Sequence, residues 1–257
     1  YIKGKYQADT RYSVEAEASI SKSLKVDPAL IPALAEMAML QYRKMNYESA
    51  FEYARKALSM DSYNGMANYY YGLSALKLDK VYDAEDGFEV ATLTDDYRAA
   101  ALTELSKIKI RQKKFDEALS YASKSLVYNS ENITALQLQY LSARLLQNKA
   151  LEKTISEKIL MIDPFNHFIR FEEYLANRST ESKTAFTGLI RDEMPQQTYF
   201  NLAVWYHDLN LDNESKTVLE TAPQKNDELL YWLAWLHRND NDAKQRLTEA
   251  QSGSALL

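Results

Sequence analysis

Three histidines and no cysteine limit the chemistry this chain can perform. Without thiols there is no cysteine zinc site, iron–sulfur cluster, disulfide framework or thiol nucleophile. His207 and His237, with Asp208 and Asp240 near them in sequence, are the best candidate metal ligands. Zinc holds its donors at about 2 Å, whereas equivalent residues on stacked helices lie about 8–10 Å apart, so the pair reads as two partly exposed histidines. The acidic pairs Asp95-Asp96 and Glu172-Glu173 have the residue type of glycosidase carboxylates. Adjacent helical residues diverge by about 100°, however, and Asp95-Asp96 falls where a helix is expected to end, so both pairs read as solvated structural residues. No Gly-x-Ser-x-Gly elbow, phosphate loop or Gly-x-Gly-x-x-Gly occurs. The glycosylation sequons at Asn132, Asn177 and Asn213 carry no weight without a secretion signal. No catalytic residue, metal or cofactor is assigned, and the chain reads as a non-enzyme.

Composition narrows the class further. Only 6 glycines and 5 prolines among 257 residues leave little for the turns of a doubly wound α/β core. Lys+Arg 31 against Asp+Glu 36 gives a net charge of −5, which argues against a nucleic-acid surface built on clustered cations. An apolar fraction of 46% suffices for a sizeable core. The longest apolar run, Leu229–Leu236, is far short of the about 18 residues that cross a bilayer, so no membrane insertion is expected. No signal peptide is visible, and the opening Tyr1 and closing Ala255-Leu256-Leu257 read as an excerpt of a longer polypeptide. Nothing fixes a compartment.

What must position any functional residue is a repeat. Ala16, Ala50, Ala84 and Ala118 are 34 residues apart, as are Pro28, Ser62, Asp96, Ser130 and Pro164. Leu24, Leu58, Leu126 and Leu160 keep the same comb, as do Tyr47, Val81 and Phe115. Each period holds two apolar-periodic stretches of helical length, such as Pro32–Lys44 and Tyr47–Met60, joined by a short polar turn. The unit is a helix hairpin: the alanines mark close helix crossings, and Tyr47 or Phe115 plugs the gap beside the turn.

These rows resemble the tetratricopeptide repeat family, closely over 31–64, 65–98, 99–132 and 133–166, with Phe115-Asp116-Glu117-Ala118-Leu119 and Ser125-Leu126 as the strongest match. A partial repeat is read at 1–30 and shorter hairpins at 167–195, 196–225 and 226–257. The fourth repeat departs from the pattern, with Glu152 at the crossing alanine and Lys149 at the aromatic plug, and is expected to splay or shift register. The resemblance implies an all-α, right-handed α-solenoid forming one domain over 1–257, stabilised by nearest-neighbour stacking. A weaker similarity of Leu229–Leu236 and the Ser254–Leu257 ending links the chain to bacterial proteins that join a mutarotase-like domain to such repeats.

The family's first helices line a concave groove, which implies a row of Met39, Leu73, Lys107, Leu141, Leu175 and Val204 and a parallel row of Ala35, Tyr69, Thr103, Gln137, Phe171 and Phe200. Tyr42 and Tyr70 add aromatic faces, and Arg43, Lys77 and Arg111 form a basic ladder, 34 residues between rungs. The ladder sits near helix C-termini, where cations also offset the helix dipole with no ligand present. Ala35, Met39, Tyr70 and Leu73 replace the Lys and Asn pairs of a terminal-carboxylate clamp. The implied role is a protein-interaction scaffold for a peptide or protein domain of some acidic character. Alternatively, the solenoid packs against a catalytic or carbohydrate-active domain of the same polypeptide.

Overall fold

The computed structural model describes residues 13–191 and 194–238. Fourteen helices and no strand occur among the described residues. They divide into two compact units, Tyr1–Ser142 and Ala143–Leu257, the division falling inside the fourth sequence repeat.

Unit 1 contains α1 (Ser13–Val26) and the hairpins α2 (Ile31–Arg43) with α3 (Tyr47–Leu58), α4 (Gly65–Lys77) with α5 (Val81–Ala91), and α6 (Asp95–Arg111) with α7 (Phe115–Tyr128). It also contains most of α8 (Ile133–Leu145). Ala16, Ala50, Ala84 and Ala118 are all fully buried, as their spacing requires of helix crossings. Phe88 of α5 is enclosed at the centre of a cluster with Ala75, Ala84, Ala101 and Leu105. It fits because position 72 is glycine: a Cβ there would lie 2.8 Å from the Phe88 ring.

Each hairpin reverses on a left-handed residue. Met45, Asp79, Lys113 and Gln147, 34 apart, have φ of 61°, 57°, 61° and 60°. In the first turn the Asn46 N–H donates to the Gln41 carbonyl and the Met45 N–H to the Tyr42 carbonyl, both at 2.9 Å. This doubly bonded C-cap satisfies carbonyls that the helix end would otherwise orphan. It recurs at Lys80 to Ala75, Lys114 to Lys109 and Asn148 to Ala143. Helix α9 (Lys149–Ile162) therefore starts on the 34-residue comb, and the register shift expected of the fourth repeat does not occur.

Three first helices begin on asparagine caps, Asn64, Asn132 and Asn166 accepting from the N–H three residues on, whereas Leu30 precedes α2 with no side-chain cap. The equivalent position of the third repeat is Arg98, and α6 starts one turn early. Asp95 and Asp96 thus open a helix rather than close one, correcting the sequence reading. Acidic residues belong there because the N-terminal end of the dipole is positive.

Unit 2 contains the end of α8, α9, α10 (His167–Asn177), α11 (Thr180–Leu189), α12 (Pro195–Asp208), α13 (Asp212–Thr221) and α14 (Asp227–Leu236). Phe171 packs against Phe186 and Tyr206, with ring centroids 5.2 and 5.5 Å away. The stretch read as the second helix of the last pair, and the Ser254–Leu257 ending, lie outside the described residues.

Candidate functional site

On the first-helix side of unit 1 the tyrosines form one continuous chain of rings. Tyr47 meets Tyr42 at 5.5 Å, Tyr42 meets Tyr70 at 6.0 Å, Tyr70 meets Tyr69 at 5.6 Å and Tyr69 meets Tyr97 at 5.3 Å. All five are half-buried, so each offers part of its surface to solvent. Burial raises the Tyr70 hydroxyl pKa, and the Arg43 guanidinium that bonds it pulls the other way. Tyr97 is pushed up to about 12, again chiefly by burial. The Tyr70 and Tyr97 hydroxyls are therefore neutral hydrogen-bonding groups at ordinary pH.

The ladder residues each stand in the last turn of their helix, and of the three Arg43 bonds a tyrosine of this wall, Tyr70. Arg43 and Lys77 are exposed and Arg111 half-buried. Among the described residues neither Lys77 nor Arg111 enters an ion pair, whereas Lys107 is held by Glu104 at 2.7 Å. Leu73 is half-buried against the Phe88 cluster, and Gln137 is half-buried on α8.

Five expected groove residues are not available as surface, Ala35 and Thr103 among them. Met39 packs into the Ala16, Ile20 and Met37 core. Leu141 is enclosed because α8 is buried on most of its circumference, from Ala135 to Ala143. Phe171 is covered by Phe186 of α11 and Tyr206 of α12. Also in unit 2, Val204 is half-buried, and Phe200 is half-buried with its ring edge-on to Trp232.

Unit 2 carries a second polar feature. Glu172, read from sequence as solvated, is fully buried on α10, flanked by Phe171. The Tyr206 hydroxyl donates to its Oε1 at 2.7 Å, and Arg144 Nε lies 3.0 Å from its Oε2. Arg144 Nη2 also donates to Glu214 at 2.9 Å. Glu152 of α9, at the crossing position, is buried nearby and held by Lys149 at 3.0 Å. Desolvation pushes the Glu172 carboxyl up to about 7; Arg144 and the Tyr206 bond draw it down, while Glu214 and Glu152 add to the rise. The two carboxylates keep the guanidinium charged.

This arrangement sets a pH dependence. The unfolded carboxyl titrates near 4.5 and the folded one near 7. Between those values the folded unit holds a proton that the unfolded chain has released. The contribution is therefore complete below about pH 4.5 and is lost as pH rises through 7, on the order of 3 kcal/mol. Urea titrations of the wild type and Glu172→Gln between these limits, followed by tryptophan fluorescence, should show a falling midpoint in the former and a flatter one in the latter. Parallel curves would count against the assignment.

The repeat contained the signal for this cluster: Glu36, Tyr70, Glu104, Leu138, Glu172 and Tyr206 form one row spaced by 34. The histidines do not converge. His207 Nδ1 lies 2.7 Å from Asp212, and His237 Nε2 lies 3.5 Å from Glu220. Among the described residues no group of three His, Cys, Asp or Glu could hold a metal ion, and no helix is long and apolar enough to cross a membrane. Trp205 is edge-on to Phe168, while Trp235 stacks on Trp232.

The architecture is that of the tetratricopeptide-repeat proteins. The pilF protein of Pseudomonas aeruginosa aligns with a TM-score of 0.64 at 18% identity, covering 80% of this chain and 93% of its own. A tetratricopeptide repeat protein from Parabacteroides merdae gives 0.59 at 15% identity, covering 98% and 90%. YrrB, described as a protein of this type with an unusual peptide-binding site, gives 0.56 at 18% identity, covering 66% and 88%. At these identities the likeness establishes the fold. No protein-family model and no curated protein sequence matches the chain.

Proposed function

We propose that the chain is a non-enzymatic interaction scaffold whose unit 1 binds an extended peptide, or an extended segment of a protein domain, along its tyrosine wall. The observation that carries this reading is the partly exposed tyrosine chain, with Arg43 bonded to Tyr70 and with Lys77 and Arg111, which enter no ion pair among the described residues, at the matching last-turn positions of the next two first helices. Tyrosine gives large contact area at low entropic cost, because its ring has only two side-chain torsions to fix. Cations without intramolecular partners favour acidic groups on the ligand and hasten encounter. The peptide-binding site named for the structural neighbour YrrB supports this use of the fold. Aliphatic or aromatic side chains of the ligand would lie against Tyr42, Tyr70 and Tyr97, with carboxylates toward Lys77 and Arg111.

The test uses fluorescently labelled peptides of alternating acidic and Leu/Phe residues, titrated with the full chain. Lys77→Glu/Arg111→Glu should weaken binding about tenfold or more and reduce its salt dependence. An unchanged dissociation constant with a folded variant would reject the ladder. The alternative, an accessory solenoid packed against another domain of the same polypeptide, places that domain on the same wall. Adding flanking polypeptide would then block the peptide in cis.

A further inference from the structure

Away from the first-helix side, unit 1 carries a second periodic feature, at the edge where its second helices end. Val26 closes α1, Met60 follows α3, Leu93 follows α5, and Val127 and Tyr128 close α7. All are exposed: Val26 to 88%, Leu93 to 62% and Val127 to 77%. The spacing is that of the repeat, since Val26, Met60 and Tyr128 lie on one 34-residue comb and Leu93 and Val127 on the next. Stacked hairpins present equivalent positions along one edge, so these side chains line that edge as an apolar ridge interrupted at Ser59 and Thr94. Isolated exposed apolar residues are ordinary on a surface, but a periodic row of them along one edge marks an interface.

The ridge is polarised along its length. At the α1 end, the exposed Lys22, Lys25 and Lys56 outnumber Asp27. At the α7 end, the exposed Asp96 and Glu131 outnumber Lys124. A surface with a cationic end, an apolar middle and an anionic end is complementary to itself when a second copy is turned through a two-fold axis across it.

We infer that the chain pairs with a second copy of itself, edge to edge and antiparallel, through this ridge. The lysines of one copy then face the carboxylates of the other. Each first-helix wall is left open, so the dimer displays two peptide faces.

Sedimentation equilibrium of the full chain across the micromolar range should show a reversible monomer–dimer equilibrium, weakened at high salt. Leu93→Asp/Val127→Asp should raise the dimer dissociation constant at least about tenfold while leaving the melting temperature unchanged, because neither side chain is in the core. Charge reversal distinguishes the arrangement. Lys22→Glu/Lys25→Glu should weaken pairing, and combining it with Asp96→Lys/Glu131→Lys should restore it. A chain that stays monomeric throughout, or a dimer insensitive to the ridge variants, overturns the inference. Failure of the combined variant to recover overturns the antiparallel geometry.

Discussion

Arg144→Met is expected to destabilise unit 2 by about 3–5 kcal/mol above neutral pH, where Glu172 carries its charge. The guanidinium faces two carboxylates, Glu172 at 3.0 Å and Glu214 at 2.9 Å, and the first is fully enclosed. Methionine fills similar volume but leaves the Glu172 charge with only the Tyr206 hydroxyl. The group must then take up a proton or admit water, and either costs free energy. All three tryptophans, Trp205, Trp232 and Trp235, belong to unit 2, so fluorescence reports its unfolding. The double variant Arg144→Met/Glu172→Gln should regain most of the loss, because no uncompensated buried charge remains. Additive losses would mean that the two side chains do not act as a pair.

Phe88→Ala should cost unit 1 a comparable about 3–5 kcal/mol, for an apolar reason. The ring is enclosed between α4 and α6, with Gly72 beneath it and Tyr69 at 5.8 Å. Removing it leaves a cavity that neighbouring side chains cannot collapse to fill, because repeat packing fixes the helix spacing. Far-UV circular dichroism should show an earlier transition, while the tryptophan signal keeps its midpoint. A loss below about 1 kcal/mol would indicate that the hairpins close over the gap. Tyr69 packs on this ring, so peptide binding should fall with it.

The hairpin architecture was readable because small residues have one use at a helix crossing. Ala16, Ala50, Ala84 and Ala118 announced both the period and the burial that the structure shows. The last-turn placement of Arg43, Lys77 and Arg111 was also readable, since cations at fixed spacing fall at equivalent points of equivalent helices. Burial was less legible. Met39, Leu141 and Phe171 have groove positions by repeat count, yet neighbouring elements cover them, and spacing within one helix does not reveal its neighbour's reach. Glu172 misled because a carboxylate beside another carboxylate normally seeks water. Its partners Arg144 and Tyr206 lie 28 and 34 residues away in sequence, and only the row from Glu36 to Tyr206 hinted at them. Asp95 and Asp96 misled in the opposite sense, because Arg98 stands where Asn64, Asn132 and Asn166 cap the first helices of other repeats.

The reach of Arg144 has a consequence for synthesis. In unit 1 the hairpins pack mainly against their sequence neighbours, so each can dock within about one repeat of leaving the ribosome. Arg144, by contrast, bonds Glu214 across 70 residues of chain. Until that stretch has been translated, its guanidinium lacks its second carboxylate and Glu172 lacks a finished enclosure. Unit 1 can therefore be complete, and open to a ligand, while unit 2 is still waiting for its last partner to emerge.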